Sequence, residues 1–421
     1  MEGCCPYPFR FALWRALLAN VECKMAKMQS FYILISTFHI LKRGTMQKLY
    51  FDVLYLLSCA ANSKKADKNK IDTMDLDALY ALCKAHSISA LVSSVLLEHI
   101  KENREQYTKW SEEQMKALYR DMNFATERAK ILAFLEENGI WYMPMKGIVL
   151  KDYYPQPELR EFADNDILFD EAAAERVEAY MLSVGYKRKQ SDSGHVMEYE
   201  KEPCFNFEMH RSLYHTNNPV FCDYYKDVKD RLLKDDGNRF GYHFSDEDFY
   251  VFMVSHAYRH YRDNGVGIRS LLDIYVYNKA LGDTLNYNYI EEQLAGIDSL
   301  DFEKQMRTLA CKAFGESKPT FSETEEKVLL YYFGSGTYGT EEQAAINHMK
   351  HLTGEADFSA SGRRKYWLKR LFDLEQYKQD FPRAYKTKIL IPFLILYRAL
   401  RGLTKVGRLK EENQRLKDLE K

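Results

Sequence analysis

The stretch MKGIVLKDYYPQPELREFADNDILF, residues 145–169, decides the fold of this chain. It begins at the end of IWYMPM (140–145), an apolar run with the residue types of a short strand. Lys146 and Gly147 then form a turn that leads into IVLKDYY, whose pattern is helical. Asn165–Phe169 is again short and apolar, as strands are. The stretch therefore predicts a strand, a turn, a helix and a second strand in immediate succession.

The sequence after this stretch completes a small unit of strands and helices. Asp170 is suited to cap a helix that runs through Val184. HVMEYEK (195–201) and CFNFEMHR (204–211) have the patterns of two strands and predict a hairpin whose turn contains Pro203. Strand, helix, strand, helix and hairpin together are typical of a compact α/β unit.

The rest of the chain is helical in pattern, so we predict an α+β fold: a small mixed-sheet core with helical N-terminal and C-terminal regions. MQKLYFDVLYLLSCAA, which begins at Met46, is the first clear amphipathic helix. We therefore expect either that translation starts at Met46 or that the residues before it pack poorly. The predicted regions are a poorly patterned extension at 1–45, a helical region at 46–139, the mixed-sheet core at 140–215, a helical C-terminal region at 216–400 and a charged helical tail at 401–421.

The clearest helical pattern lies in Ser111–Asn138. Ser111 is suited to cap this helix, with Gln114 three positions later, and Gly139 stands where helices commonly end. We expect one apolar stripe of the helix to face the core. Its members are Met115, Leu118, Met122, Ala125, Ala129, Leu132 and Leu135.

The composition excludes several classes of protein. The 421 residues hold 60 Lys and Arg against 61 Asp and Glu, so a polyanion would have to bind through a local patch. The 8 cysteines are scattered without a CxxC pair, which is typical of reduced thiols and offers no zinc-ligand spacing. No apolar run reaches the roughly 20 residues that span a membrane. We therefore expect a cytoplasmic protein without a membrane span or a secretory signal.

Acidic side chains predict a metal site on the core strands. Since side chains alternate along a strand, Asp164 and Asp166 face the same way, and Glu208 and His210 share a face of the hairpin. Two adjacent carboxylates with a third from a neighbouring strand form the hard oxygen environment that suits Mg²⁺, or Mn²⁺ in its place. We therefore predict Asp164, Asp166 and Glu208 as catalytic residues and metal ligands.

The turn at Lys146 and Gly147 supplies groups that bind phosphate. It lies between a strand and a helix start, where backbone N–H groups and the positive end of the helix are exposed. Gly147 lets a phosphate approach the backbone, and Lys146 and Arg160 carry positive charge. We predict nucleotide binding by Lys146, Gly147 and Arg160, with a further contact from His210.

These motifs resemble the uncharacterised nucleotidyltransferase family within the DNA polymerase beta-like superfamily. The resemblance rests first on MKGIVLKDYYPQPELREFADNDILF followed by FNFEMHRSL. HAYRHYRDNGVGIRSLLDI (256–274) is similar to the family's helical region with paired histidines, and FPRAYKTKILIPFLILYRALR (381–401) is similar to its C-terminal stretch. The resemblance covers roughly residues 46–400.

The resemblance implies an enzyme that transfers a nucleoside monophosphate from an NTP. It also implies metal ligands at Asp164 and Asp166, a third carboxylate at Glu208 and triphosphate contacts near Lys146 and Gly147. The acceptor stays open, because the family's acceptors are largely undefined: a small molecule, a protein or an RNA would fit. The oligomeric state stays open as well.

Two other functions remain as alternatives. Lys146-Gly147 is followed by Ile148, whereas the wider superfamily has Gly-Ser at its phosphate loop, so the serine contact to phosphate is missing. The chain is therefore alternatively a catalytically idle nucleotide-binding or regulatory module with the same fold. His256 and His260 lie four residues apart on a predicted helix, and a metal phosphohydrolase built on them is the third hypothesis.

Other charged residues favour a structural interpretation. Arg269 and Asp273 lie four residues apart on a predicted helix, which favours an intrahelical ion pair over a role at the edge of the site. A basic cluster with interleaved aromatic residues favours a solvated helix face over binding to nucleic acid or an anionic surface, because the total charge is near zero. The cluster comprises Arg363, Arg364, Lys365, Tyr366, Trp367, Lys369 and Arg370.

Overall fold

The structure is a computed structural model. It describes residues 43–189, 194–315, 319–337, 339–374, 377, 381–385, 388–404 and 406–419. The prediction about residues 1–45 falls outside these residues except for the last three positions. The described residues form two compact units, of which the first holds those up to Ser255 and Arg269–Ser322. The second unit holds His256–Ile268 and the described residues from Glu323 onward.

Helices account for most of the described chain. The α-helices are α1 (Arg43–Ala61), α2 (Lys68–Ile71), α3 (Leu76–Ala85), α4 (Ser89–Leu96), α5 (Arg104–Glu137), α6 (Gly147–Leu150), α7 (Ala174–Ser183), α8 (Pro219–Tyr224), α9 (Asp246–Arg262), α10 (Ile268–Leu281), α11 (Tyr287–Gly296), α12 (Leu300–Gly315), α13 (Glu323–Gly334), α14 (Glu341–Thr353), α15 (Ala360–Leu371), α16 (Pro382–Tyr385), α17 (Ile391–Thr404) and α18 (Val406–Asp418). Short 3-10 helices lie at Lys151–Tyr153, Pro157–Leu159, Glu171–Ala173, Val228–Arg231 and Lys388–Leu390. Among the described helices, none combines the length and the apolar content needed to cross a membrane.

A mixed five-stranded sheet forms the centre of the first unit. Its strands are β1 (Tyr142–Met145), β2 (Asn165–Phe169), β3 (Lys187–Arg188), β4 (Val196–Lys201) and β5 (Phe205–His210). They lie in the order β1-β2-β5-β4-β3, in which β2 and β5 are parallel and the other neighbours are antiparallel. The predicted α+β fold, with a small mixed sheet between helical regions, is confirmed.

The alternation of side chains explains which face of the sheet is covered. Phe205, Phe207 and Met209 alternate with Asn206, Glu208 and His210 along β5, and all three are buried in one apolar cluster. That cluster also contains residues of α5 and α7, including Ile131 and Val177, so both helices cover the same side. The alternate residues of β5 are thereby directed away from this core.

The start of α5 corrects one prediction. The helix covers Arg104–Glu137, and its N-cap is Asn103, whose side chain accepts a hydrogen bond from the backbone N–H of Gln106. Ser111, the predicted cap, lies inside the helix and donates to the carbonyl of Thr108 at 3.0 Å. The predicted boundary was wrong because a serine inside a helix can bond a preceding carbonyl as readily as it can cap.

The predicted apolar stripe of α5 is buried only near the end of the helix, where Leu135 belongs to the core and Leu132 packs against it. Met115 and Met122 are 64% and 70% exposed, whereas Trp110 and Phe124 are fully buried and Ile131 is nearly so. Both sets recur at helical spacing, so periodicity alone does not distinguish them. The bulkier aromatic residues have more apolar area to remove from water, and they take the core side.

A small hairpin lies in the region that was predicted as helical. It consists of β6 (Leu233–Lys234) and β7 (Tyr242–His243). The chain just before β7 also joins the edge of the main sheet, because the Tyr142 N–H donates to the carbonyl of Phe240 at 3.0 Å. The second unit has its own apolar core, which is formed by Ala345, Met349, Tyr366 and Leu416.

Candidate active site

The register of three strands brings three of the predicted site residues together: Lys146, Asp166 and Glu208. In the parallel pair of β2 and β5, Asp166 lies directly opposite Glu208. In the antiparallel pair of β1 and β2, Asp166 lies opposite Met145, so Lys146 follows immediately after that position. A carboxylate from each of two adjacent strands and the lysine at the end of a third therefore meet at one place on the sheet.

The side chains at this place are within hydrogen-bonding or ion-pairing distance of one another. Lys146 Nζ donates to Asp166 Oδ1 at 2.6 Å and lies 3.8 Å from Glu208 Oε2. His210 Nε2 lies 2.9 Å from Asp166 Oδ1 and 3.4 Å from Glu208 Oε2. Ligand atoms of Asp166, Glu208 and His210 all lie within 4.8 Å of one another, which is close enough to share one metal ion. In the described part of the chain, this is the one group of three or more such residues.

Asp164 lies just before β2 and is half-buried. It does not belong to the group of three, but it is close enough to affect their charges. Burial and the negative charges of Asp166 and Glu208 raise the pKa of Asp164 to about 7, although Lys146 and Arg269 oppose the shift. The role of Asp164 as a metal ligand therefore stays a prediction.

The charges of the site depend on one another. Burial acts to raise the pKa of Asp166, but the Lys146 ammonium and the hydrogen bond from His210 outweigh it, and the pKa lies well below its ordinary value. Burial acts to lower the pKa of Lys146, but the carboxylates of Asp166, Glu208 and Asp164 raise it above its ordinary value. Three carboxylates thus lie near one ammonium group. The excess negative charge favours binding of a further cation.

The comparison with known families agrees with this geometry. The family described as "Uncharacterised nucleotidyltransferase" matches residues 72–315, more than half of the chain, and the matched region contains every strand of the main sheet. This chain belongs to the uncharacterised nucleotidyltransferase family. No curated protein and no solved structure matches it. Nucleotidyltransferases generally use divalent metal ions, and in this family member Asp166, Glu208 and His210 form a group that could hold one.

The turn before α6 has an unusual backbone in this nucleotidyltransferase family member. Lys146 has φ 54° and ψ −124°, a conformation that residues with a side chain rarely adopt. Such a residue costs on the order of 1–3 kcal/mol and persists where the surroundings impose it. The conformation directs the chain from β1 into α6 while Lys146 Nζ reaches Asp166. α6 itself spans only Gly147–Leu150, so its dipole adds little to the predicted phosphate site.

Arg160 does not lie free beside the turn. Its Nε and Nη2 donate to the two carboxylate oxygens of Asp273, both at 2.8 Å, and the Tyr154 hydroxyl donates to the same carboxylate at 2.7 Å. Arg160 and Asp273 are both buried. Burial raises the pKa of Asp273, but the Arg160 charge and its hydrogen bonds hold it below the ordinary value. The predicted contact of Arg160 with phosphate would have to be made by the rest of its guanidinium and stays a prediction.

Gly147 has a packing role that the sequence did not reveal. A Cβ built at this residue would lie 3.0 Å from Arg160 Nη1 and 3.1 Å from Phe162 Cβ. Gly147 therefore makes room for neighbouring protein side chains. Its predicted contact with nucleotide stays a prediction.

Helix α10 is tied to the chain before β2. Asp273 accepts a hydrogen bond from Arg160, which lies outside the helix. Arg269 Nη1 donates to the backbone carbonyl of Glu161 at 2.7 Å. Glu161 in turn accepts from the backbone N–H of Ala90 at 3.0 Å. The intrahelical pair of Arg269 and Asp273 stays a prediction, and both side chains also contact the residues that precede the site.

The paired histidines belong to the second unit. His256 Nε2 and His260 Nε2 lie 3.2 Å apart, and Arg259 Nη2 lies 2.9 Å from His260 Nε2. No third His, Cys, Asp or Glu among the described residues completes a metal-binding group with them. A cation on Arg259 beside them also disfavours a metal ion, so the phosphohydrolase hypothesis gains no support.

Two residues near the site were missed by the sequence analysis. Glu198 on β4 lies directly opposite Glu208 in an antiparallel pair, so the two side chains are on the same face. His195, just before β4, has its ring 6.2 Å from that of His210 and 5.5 Å from that of His215. The signal for Glu198 was present, because counting outward from the hairpin turn pairs it with Glu208.

Proposed function

We propose that this protein transfers a nucleoside monophosphate from an NTP to an acceptor hydroxyl or phosphate. The observation that carries the proposal is the pairing of Asp166 with Glu208 at one register position of two parallel strands, beside Lys146. Family membership supports the same class of reaction. The acceptor is a small molecule, a protein or an RNA.

The donor set fits a divalent metal ion. Asp166 and Glu208 provide neighbouring carboxylate oxygens, and the Lys146 ammonium lies 2.6 Å from the first and 3.8 Å from the second, so the two carboxylates already stabilise one positive charge. We propose that Asp164, Asp166 and Glu208 hold Mg²⁺ or Mn²⁺, with His210 as a neighbour that can also ligate. When bound, the ion neutralises charge on the triphosphate and activates the attacking oxygen.

The residues of the chain have distinct roles in the proposed reaction. An oxygen of the acceptor forms a bond to the α-phosphorus, the bond from that phosphorus to the bridging oxygen breaks, and pyrophosphate leaves. Where the acceptor is a hydroxyl, its proton passes to a site carboxylate, for which Glu208 is proposed as general base. Lys146 exchanges its contact with Asp166 for the phosphate oxygens of the NTP, which neutralises the charge that develops on them.

The test compares two glutamates of the same hairpin. The protein is incubated with Mn²⁺ or Mg²⁺, each NTP labelled at the α-phosphate, and mixtures of small molecules, protein and RNA as acceptors. We expect release of pyrophosphate and transfer of label, both lost in Glu208→Gln. The control Glu200→Gln removes an exposed carboxylate of β4 and should act as the wild type does. Equal turnover in both variants would contradict the assignment of Glu208.

One observation favours a second function, that of a nucleotide-binding module without turnover. Ile148 follows Gly147 where a phosphate-binding serine was expected, and Arg160 and Phe162 already fill the space beside Gly147. This function predicts saturable binding of an NTP in calorimetry, dependent on Lys146 and on the metal ion, with no pyrophosphate released under any acceptor condition. Pyrophosphate release that is sensitive to Glu208→Gln excludes it.

A further inference from the structure

One segment near the C-terminal end of the chain has a composition unlike the rest. Residues 381–410, FPRAYKTKILIPFLILYRALRGLTKVGRLK, contain no Asp or Glu, although the whole chain holds 61 of them. Its basic residues are Arg383, Lys386, Lys388, Arg398, Arg401, Lys405, Arg408 and Lys410. Most of the other residues are apolar. We call residues 381–410 the basic apolar segment.

The described part of this segment exposes a continuous apolar stripe. On α17, Phe393 is 66% exposed, Leu396 57%, Tyr397 50% and Leu400 54%. These positions follow the spacing i, i+3, i+4 and i+7, so the four side chains lie on one face of the helix. Ile389, just before the helix, is 79% exposed. Exposed apolar patches of this kind on a folded protein mark a surface that binds something.

The chemistry of the segment points to a lipid surface. An amphipathic helix lies in the plane of a membrane when large apolar residues cover one face and Lys and Arg accompany them, because apolar burial and attraction to anionic headgroups act together. α17 has 14 residues, whereas roughly 20 are needed to cross a bilayer. It suits a helix that lies on a membrane and does not span it.

Other partners fit the segment less well. A symmetric dimer through this face would bring two acid-free, basic segments together, and their charges would repel. The exposed stripe of α17 is apolar, whereas the phosphate backbone of a nucleic acid binds to positively charged side chains. The neighbouring basic cluster on α15 is in part occupied within its own unit, because Lys365 pairs with Glu355 at 2.8 Å and Arg370 pairs with Glu412.

We propose that α17 lies on the surface of an anionic lipid bilayer, with its apolar stripe in the interface. The proposal is independent of the reaction at the sheet, since it concerns residues of the second unit alone.

Flotation of the full-length protein with vesicles tests the proposal. One set of vesicles is phosphatidylcholine alone, and the other also contains phosphatidylglycerol. The variant Phe393→Ser/Leu396→Ser/Leu400→Ser removes the stripe. Met115→Ser/Met122→Ser on α5 is the matched control, because those methionines are 64% and 70% exposed. Circular dichroism checks that both variants remain folded.

We expect the wild type and the control to float with the anionic vesicles, and the stripe variant to lose binding by about tenfold or more. High salt should weaken the binding of the wild type, because it screens the basic residues. In a further variant, Phe393→Trp, the fluorescence of the introduced tryptophan should shift to the blue on binding and should be quenched by brominated lipid.

Four results overturn the proposal: no flotation with either vesicle, equal flotation of wild type and stripe variant, no spectral shift in Phe393→Trp, or a dimer in light scattering that the stripe variant abolishes. The last result would assign the stripe to a second copy of the chain. Salt-sensitive binding of RNA that survives loss of the stripe, without flotation, would assign the basic residues to nucleic acid.

Discussion

Two ion pairs of the first unit illustrate opposite uses of a buried carboxylate. In the pair of Arg160 and Asp273, the side chains are 5% and 10% exposed, and two parallel hydrogen bonds join them. In the pair of Lys146 and Asp166, one contact of 2.6 Å joins a lysine that is 22% exposed to an aspartate that is 3% exposed. We call the pair of Arg160 and Asp273 the closed pair, because both side chains are buried. We call the pair of Lys146 and Asp166 the open pair, because its lysine is partly exposed to solvent.

The charge balance separates the two pairs further. Asp273 meets a planar guanidinium that matches its geometry, and the Tyr154 hydroxyl adds a third hydrogen bond. Asp166 shares its lysine with Glu208, and Asp164 adds negative charge nearby. A pair whose charges cancel is suited to a structural role, whereas a group with excess carboxylates is suited to bind an added cation, as we propose for this site.

The largest expected effect is on the open pair. Asp166→Ala should lower transfer by about ten-thousandfold or more, because a bound cation supplies several kcal/mol of transition-state stabilisation. Its stability should change little, since Lys146 can turn to Glu208 and to solvent. Pyrophosphate release and urea unfolding measure the two quantities, with Glu200→Ala as control. Full turnover in Asp166→Ala would refute the proposed reaction.

The closed pair should respond in stability. Asp273→Ala leaves the Arg160 charge buried without its partner, which should cost about 3–5 kcal/mol in the free energy of unfolding. Urea denaturation measures this loss. Asp223→Ala, which removes an exposed ion pair with Lys226, should cost less than about 1 kcal/mol. Similar losses in the two variants would mean that the Arg160 pair is no more structural than a surface pair.

The double variant Arg160→Met/Asp273→Leu sharpens this test. Removing both charges leaves no uncompensated ion, so the double variant should be more stable than Asp273→Ala alone. If the double variant is less stable than Asp273→Ala, the lost stability comes from the Tyr154 hydrogen bond or from packing.

His210 lies on the open side of the comparison and has a smaller predicted effect. Its imidazole is suited to ligate a transition metal ion, so His210→Ala should weaken Mn²⁺ binding by about tenfold to a hundredfold. Mg²⁺, which prefers oxygen ligands, should be affected less. Electron paramagnetic resonance of bound Mn²⁺ should reveal nitrogen coupling in the wild type and in the control His243→Ala, which removes a histidine 52% exposed on β7. If the wild type shows no nitrogen coupling, His210 does not ligate the ion, and its role is to orient Asp166.

The strand patterns in the sequence place the residues of the open pair near one another, whereas no pattern in the sequence connects the residues of the closed pair. Asp166, Glu208 and Lys146 each sit at the end or on one face of a strand whose alternation is readable from a few residues, so their grouping was foreseeable. Arg160 and Asp273 lie 113 residues apart, and no local pattern reports a contact at that distance. Around Asp273 the sequence displays only the helical spacing to Arg269, which suggested a local pair.

The helix α5 shows the same limit in packing. Two apolar stripes run along it, and the choice between them depends on which elements cover the helix. Phe124 contacts Phe162 and Phe205, with ring centroids 5.5 and 6.1 Å away, so residues from two distant segments decide which face is buried. Periodicity finds that a helix exists, and tertiary contacts decide its orientation.

Gly147 lies next to a residue of each pair, and substitution of Gly147 should have the smallest effect of the changes considered. It follows Lys146 of the open pair, and the Cβ of Gly147→Ala would press on Arg160 Nη1 and Phe162 Cβ. Arg160 cannot move aside without lengthening its bonds to Asp273. We expect a loss of about 1–2 kcal/mol in the free energy of unfolding, as for an added methyl in a packed site.

Gly296→Ala is the control for that variant, because a Cβ there meets nothing within 4 Å and should be neutral or stabilising. The outcome decides why a glycine stands at this turn. If Gly147→Ala is as stable as the wild type but binds an NTP more weakly, the space beside Gly147 is kept for a phosphate, as the sequence suggested. If stability falls and NTP affinity is retained, the glycine exists so that Arg160 of the closed pair can lie against the turn that positions Lys146.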